Sequence, residues 1–343
     1  MDAARLATEI HTLAAEHGFV RVGFVRAAAV PLDAQRRYRD WLTAGMHGDM
    51  SYMQRNVDKR MDVRLLVSQA RSVIVLAVSY AHESEQHPAG IDHDSSDRPR
   101  PAAIVARYAR GRDYHRLLKR RCLSLMDRIR ELEPAFEGRA FVDSAPIMER
   151  TLAVQAGLGF IGRNGCFIVP GMGSYILLCE IVCNLELPRD AGRHVPPREN
   201  SASHEFTQGM TGSPGMPPPA DCASCGRCVA ACPTGAIGPD GLIDARRCIS
   251  YLTVEHEGAI AAELASKFDG QVVGCDICQQ VCPHNAAVPP GDRELTTPRC
   301  TLHGRPLDEL AVIDDAEWDA ATCGTAARRV SLEMLRRNAS SGR

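Results

Sequence analysis

Apolar positions recur every three or four residues along the opening stretch, MDAARLATEIHTLAAEH, with Leu6, Ile10, Leu13 and Ala14 on one face. That period predicts an amphipathic helix. The pattern then shortens. FVRVGFV (19–25) reads as a strand, residues 33–44 as a helix, and AGMHGDMSYM as a loop rich in Gly and Met. VDKRMDVRLLVSQA (57–70) has the look of a loop entering a helix, and SVIVLAVSY (72–80) is an unbroken, β-branched apolar run, which predicts a buried strand. A polar loop over 82–101 leads into a short strand or turn and then a helix within 104–122. RAFVD (139–143) is a strand ending on an acid, and Ala145-Pro146 opens a helix to about residue 156, with proline in its first turn. CFIVP (166–170) and GSYILLCEIVCN (173–184) read as two strands joined by a Gly-Met-Gly turn.

Periodicity stops at residue 188. Residues 188–219 are rich in Pro, Ser, Gly and His and read as a linker or insertion. They divide a first domain, 1–187, from a second, 220–290, and residues 291–343 form a tail with one weak helix over 315–338. Strands and helices alternate in the first domain, so it is α/β or α+β. Gly157, Gly159 and Gly162 match a GxGxxG pattern, but they follow a helical pattern and precede a strand. A dinucleotide fingerprint needs the reverse order, so these glycines predict a tight turn close to a ligand instead.

Cysteine spacing changes the picture most. Cys222, Cys225, Cys228 and Cys232, followed by Pro233, spell C-x2-C-x2-C-x3-C-P. This is the ligand run of a bacterial two-cluster ferredoxin, whose fourth cysteine serves the other cluster. Cys275, Cys278 and Cys282 form a second run, and Cys248 stands between the two. The crossed pattern suggests Cys222, Cys225, Cys228 and Cys282 on one [4Fe–4S] cluster and Cys232, Cys248, Cys275 and Cys278 on the other. Zinc sites more often read as separate CxxC pairs, and disulfides need an oxidising compartment. The other six cysteines (Cys122, Cys166, Cys179, Cys183, Cys300, Cys323) follow no ligand spacing and read mostly as small buried residues.

Composition and charge narrow little. The 343 residues carry a net charge of −2, so no global charge argues for nucleic acid or membrane. The first helix lacks the basic and apolar regions of a signal peptide, there is no twin-arginine signal, and no stretch is apolar enough to span a bilayer. Fourteen cysteines without a secretion signal predict a reducing cytoplasm. Locally, nine Lys/Arg between Arg98 and Arg121 face one acid, Asp113, with Tyr108 and Tyr114 interleaved. This is a candidate polyanion face, although residues 116–121 read equally as a solvated helix face. Asp143 stands where α/β proteins place their chemistry, but on spacing alone a capping role is favoured.

VDSAPIMER, GLGFIGRNG, GSYILLCEI, CASCGRCVAACPTGAI, CISYLTVEHEG and GCDICQQVCPHN together resemble the epoxyqueuosine reductase family, in the same order from the first helix to about residue 290. The resemblance implies an α+β fold: a nitroreductase-like cobalamin-binding domain, then a ferredoxin-like domain with two [4Fe–4S] clusters, and a tail that resembles truncated HEAT-like helices. It implies reduction of epoxyqueuosine at the wobble position of tRNA with GUN anticodons, by cob(I)alamin fed from the clusters. Asp143 would be the proton donor, its pKa raised by burial. The cobalamin would bind without a histidine below the cobalt; the nearest D-x-H-x-x-G match, Asp113-Tyr-His115-Arg-Leu-Leu118, lacks the glycine.

The resemblance further implies that Arg60, Tyr108, His115 and Ser174 contact the cobalamin, as does Asp143. Arg163-Asn164 stands where the family shows Lys-Asn and is carried over to the same role, although Gly165 replaces a common hydroxyl residue. Ser250 and Asp276, beside cluster ligands, would meet the corrin, so that Cys232, Cys248, Cys275 and Cys278 hold the nearer cluster. Arg112, Arg116, Lys119, Arg120, Arg336 and Arg337 are candidates for tRNA phosphates. A low-potential electron donor and a monomeric, membrane-free state complete the expectation. Two other readings stand beside it: a reductive dehalogenase-like enzyme, and an electron-transfer protein whose first domain docks a partner.

Overall fold

The computed structural model describes residues 2–82, 101–189, 193–194, 222 and 225–341. The strands in chain order are β1 (Arg21–Arg26), β2 (Ser72–Ser79), β3 (Ile104–Val105), β4 (Gly138–Phe141), β5 (Phe160–Ile161), β6 (Phe167–Ile168), β7 (Ile176–Cys183), β8 (Arg193–His194) and β9 (Gln271–Val273). The helices used below are α1 (Ala3–Glu16), α2 (Leu32–Thr43), α3 (Val57–Met61), α4 (Tyr114–Leu132), α5 (Glu149–Gln155), α6 (Arg227–Ala231), α7 (Ile249–Val254), α8 (Ala262–Ala265), α9 (Ile277–Gln280), α10 (Arg293–Thr296), α11 (Leu307–Leu310), α12 (Asp315–Thr322) and α13 (Leu332–Ser341).

Five strands make one sheet in the order β4-β7-β2-β1-β8, and every pair in it is antiparallel. An antiparallel sheet with helices on its faces is α+β, which settles the choice left open by the sequence. β2 is buried at all eight positions because both faces are covered. α1 and α4 cover one face, where Leu6, Ile10, Leu117 and Leu125 meet Phe24 and Leu76. α5 covers the other, where Leu152 and Ala153 meet Val25, Val75 and Leu178. α4 follows from its sequence: Asp113 caps it by accepting the His115 N–H at 3.0 Å, and its buried positions keep the three-to-four spacing.

Three local expectations change. The helix expected from Ala145 begins at Glu149, so Pro146 lies in a preceding loop rather than the first turn. That loop leaves Asp143 with φ 49°, so the chain turns before the helix starts. The single weak tail helix is two helices, α12 and α13, parted after Cys323 by Gly324 at φ 69°. Residues 83–100 and most of 188–219 lie outside the described residues, but β8, from within that second stretch, pairs with β1 and ends the sheet on that side.

The chain after residue 225 packs closely on the part before 187. β3 pairs in parallel with β9, and Val105, Val254, Val272, Leu302, Leu310, Leu335 and Ala339 form one core. Asn338, at 0% exposure, donates to the carbonyls of Thr253 (3.0 Å) and Val272 (2.8 Å), fixing α13 against α7 and β9. At a second junction Trp41 of α2 donates its indole N–H to the Ile243 carbonyl at 2.7 Å. Among the described residues no helix is long and apolar enough to cross a membrane.

Candidate active site and cluster centres

Asp143 follows β4 in a left-handed conformation, with φ 49°. Aspartate tolerates that region better than most residues. Its backbone N–H donates to Glu149 Oε1 at 2.8 Å. Its carboxylate accepts a hydrogen bond from the Tyr114 hydroxyl and lies 3.6 Å from His115 Nε2. The His115 ring stacks on Tyr114 with centroids 4.0 Å apart, and its Nδ1 lies 2.9 Å from Asp113 Oδ1. The imidazole is therefore held between two carboxylates, with Nε2 turned toward Asp143.

The electrostatics follow from these contacts. Burial opposes charge on His115, but its bonds to Asp143 and Asp113 outweigh burial and raise its pKa. Burial likewise opposes charge on Asp143, yet the bonds from His115 and Tyr114 win and hold its carboxyl below the usual range. The Asp143 side chain remains 56% exposed, which limits what burial can do. The expected elevation of the Asp143 pKa is thus not what the contacts produce: this carboxylate is ionised and faces a histidine that favours the protonated form. Burial, then the Asp143 charge, pushes Tyr114 far up, so it stays a phenol and a donor. Glu149 is pushed up to about 7 by burial and by Asp143.

Around this centre stand one expected residue, Tyr108, and others that sequence reasoning did not assign to it. Tyr108 packs edge-on to Tyr114 at 6.3 Å. Tyr52 is pushed up to about 12 by burial and Glu255. Arg329 grips Glu255 with two bonds of 2.8 and 2.9 Å, and its charge reaches Asp143. Glu149 stands in the quoted VDSAPIMER stretch and Tyr114 beside His115, so a signal existed for both; the tail's charge marks Arg329 only as a candidate for a tRNA phosphate, and Tyr52 gives no signal.

The remaining expected cofactor contacts divide. Arg60 lies 5.6 Å over the Tyr38 ring, and its Nε is buried with no hydrogen-bond partner among the described residues, as is Arg107 Nε. Buried orphan donors of this kind fit a polar ligand. Arg163 and Asn164 instead line the cysteine cavity described next. Ser174 is buried and joined to Gln279 (3.0 Å) and Asn285 (2.8 Å). Asp276 is 3% exposed and accepts the Arg107 backbone N–H at 2.7 Å, so it ties β3's following turn to the cluster segment rather than facing open space. Ser250 is half-buried, with its backbone N–H on the Cys248 sulfur.

Cys222, Cys225, Cys228 and Cys282 line one cavity with Pro283 and His284. His284 Nε2 is buried there with no partner among the described residues, and as a donor it fits a sulfide. Cys232, Cys248, Cys275 and Cys278 feel one another's charge and form a second group. Backbone N–H groups point at these sulfurs: Ala236 at Cys232 (3.3 Å), Tyr251 at Cys248 and Ile277 at Cys275. Burial raises Cys248 and Cys275, so these thiols would hold their protons until a metal displaced them. Both groups therefore fit iron–sulfur clusters. Gly274 brings the second group against the Tyr108 ring, and a Cβ there would stand 3.2 Å from it. The glycine turn lies on the cluster segment as well: a Cβ on Gly162 would come within 3.6 Å of Cys222 Sγ. Two spare cysteines depart from expectation: Cys323 is exposed, and half-buried Cys166 hydrogen-bonds Cys278.

The basic stretch is largely engaged. Arg112 pairs with Glu294 at 2.6 Å, Arg120 lies 3.8 Å from the same carboxylate, and Lys119 donates to the Ala140 carbonyl. Arg336 donates to the Ile313 carbonyl at 2.9 Å, and Arg337 to those of Leu252, His256 and Gly258. These two arginines tie the tail to itself at Ile313 and to the segment 252–258 through backbone carbonyls. Arg116 is different, with its side chain 90% exposed and only a 4.0 Å contact to Asp113.

Comparison with known proteins gives the family and a cluster-binding domain. Residues 60–144 match the family model described as "Epoxyqueuosine reductase QueG, DUF1730", and residues 221–285 match "4Fe-4S double cluster binding domain". An epoxyqueuosine reductase of Xanthomonas campestris pv. campestris is 36% identical over 342 residues, which is 99% of this chain and 87% of that one. The Pseudomonas aeruginosa enzyme of the same name is 37% identical over 346 residues, 99% and 86% of the two chains. Among solved structures, an epoxyqueuosine reductase with an epoxyqueuosine-modified tRNA-Tyr stem loop aligns with TM-score 0.80 and 26% identity, over 98% of this chain and 80% of that one. A Bacillus subtilis epoxyqueuosine reductase, with its catalytic aspartate loop swung out of the active site, aligns with TM-score 0.77 and 25% identity, over 98% and 81%.

Proposed function

The chain belongs to the epoxyqueuosine reductase family, and we propose that it reduces the epoxide of epoxyqueuosine in tRNA to the alkene of queuosine, with Asp143 at the reacting centre. The observation that carries this reading is the Tyr114–Asp143–His115 arrangement at the end of β4. The net change takes two electrons and two protons and releases one water. A bound corrinoid would supply the nucleophile and reductant for carbon, and Arg60 and Tyr108 would help to hold it. What this chain's residues supply is the proton that opens the epoxide; the second proton, taken up as water leaves, comes from solvent. Asp143, ionised and hydrogen-bonded, passes a proton from His115 to the epoxide oxygen as its C–O bond opens. Tyr114 keeps the carboxylate aimed, and Asp113 fixes the ring tautomer that presents Nε2. The wobble nucleoside must leave its stack to reach this centre.

Cys222, Cys225, Cys228 and Cys282 hold one [4Fe–4S] cluster in this proposal, and Cys232, Cys248, Cys275 and Cys278 the other. Gly274 beside Cys275 packs on Tyr108, and Tyr108 on Tyr114, which supports reading the second group as the one nearer Asp143, with electrons arriving at the first cluster and leaving from the second. Exposed Arg116 is the member of the basic stretch best placed for a tRNA phosphate.

The test is anaerobic turnover of epoxyqueuosine tRNA with added cobalamin and a strong reductant. Asp143→Asn should keep both clusters and bound corrinoid yet lose on the order of 10²-fold or more in kcat, the usual worth of a positioned acid. Full turnover by that variant, or no queuosine from the intact protein with corrinoid bound, would sink the proposal.

A further inference from the structure

Behind Asp143, on the sheet face covered by α5, two glutamates meet in apolar surroundings. Glu180 is central in β7, opposite Val75 and Phe141, and has 0% exposure. Phe141 belongs to the core beneath α5 with Leu152, Leu178 and Val182. Neither Glu180 carboxyl oxygen finds a hydrogen-bond donor among the described residues, and the carboxyl within hydrogen-bonding reach is that of Glu149. Glu149 in turn accepts the Asp143 backbone N–H at 2.8 Å. Two carboxylates are both acceptors, so they can join only through a proton carried by one of them.

The charges facing the pair come from each element packed on it. Asp143 lies on the loop after β4, Arg150 on α5 and Arg60 on α3, and the Cys122 thiol of α4 is near Glu180. Arg150 is directed to the Gly165 carbonyl. Burial and then Glu149 push Glu180 well above the carboxylate range, in keeping with a retained proton.

We propose that Glu149 and Glu180 share one buried proton and form the positioning pair of this active site, Glu180 donating to Glu149 and Glu149 holding the Asp143 backbone in its left-handed turn. The inference rests on the reading of Asp143 as the proton-passing group. It explains why a buried, donorless acid stands in a strand that is otherwise apolar. It also supplies what the loop requires. Residues 144–148 are outside α5, and in the Bacillus subtilis relative the catalytic aspartate loop occurs swung out. A contact to the Asp143 N–H itself would keep the carboxylate facing Tyr114 and His115.

The experiment uses the cluster-loaded protein, with cluster absorbance checked for each variant. At pH 8 the infrared band of a protonated carboxyl should be present in the intact protein and absent in Glu180→Gln. Glutamine keeps a donor toward Glu149, so Glu180→Gln should retain kcat within about threefold, under ~1 kcal/mol. Glu180→Leu and Glu149→Ala remove the contact, and both should speed exchange of the Asp143 amide and lower kcat by about tenfold or more with KM unchanged. Stability gives a further reading. An acid kept neutral by burial costs stability as pH rises past its unfolded value, so the Tm of Glu180→Gln relative to the intact protein should rise from pH 5 to pH 8. The proposal is overturned if the band survives in Glu180→Gln, or if the Asp143 amide exchanges no faster in Glu149→Ala. The infrared and exchange measurements do not depend on turnover, so they stand even if Asp143→Asn proves active.

Discussion

The His115–Asp143 contact sets a pH window. Asp143 has its folded pKa depressed, so the stability it contributes is present above its ordinary 3.8 and is lost as pH falls through the lower folded value. His115 has its folded pKa raised, so its contribution is complete below its ordinary 6.5 and is lost as pH rises through the higher folded value. The pair is therefore fully formed between those limits. Turnover that draws its proton from His115 should fall on the alkaline side of neutrality, and His115→Gln should abolish that limb of the kcat profile. An unchanged alkaline limb in the variant would assign it to another group. The sequence marked Asp143 but not its protonation. Acid at a strand end is a readable position; a left-handed turn that brings Tyr114, His115 and Glu149 to one carboxylate is not, because it depends on where α4 and α5 meet the sheet. The same limit holds for the carbonyl contacts of Arg336 and Arg337. Charge along a chain does not say which backbone carbonyls are left open for it to close.

At the scale of elements, the spacing of cysteines was legible because metal ligation imposes it locally, and hydrophobic period located most strands and helices for the same reason. The tail was the weakest reading. Its apolar residues are few per turn, and their partners in β3, β9 and α7 lie far off in sequence. Once folded, α13 is core: Leu335 is 0% exposed and packs with Val272 and Leu310. Leu335→Ala should destabilise the protein by about 2–5 kcal/mol, the usual cost of such a truncation. The measurement is the denaturant midpoint of the cluster-loaded protein. A shift equivalent to a surface substitution would mean that α13 is an appendage after all.

For the whole molecule the linker-separated plan gives way to a question of cooperativity. Residues 103–109 contribute Ala103, Val105 and Ala109 to the same core as residues 254–339, and β3 with β9 forms a ladder between the two parts. A chain joined only by a linker would unfold its parts independently; parts that share a core unfold together. Thermal unfolding followed by far-UV circular dichroism and by cluster absorbance should therefore give coincident transitions. Cluster ligation should then stabilise the sheet that holds Asp143, because metal bound only by the folded state shifts the whole equilibrium. Cys282→Ala tests this at one ligand. It should lower the iron content by up to about half, since each cluster claims four of eight thiolates, and should also lower the transition reported by the sheet. If iron is lost while the sheet transition stays in place, the two parts fold separately, and the alignment of the second cysteine group with Tyr108 and Asp143 has to be maintained by contacts other than the shared core.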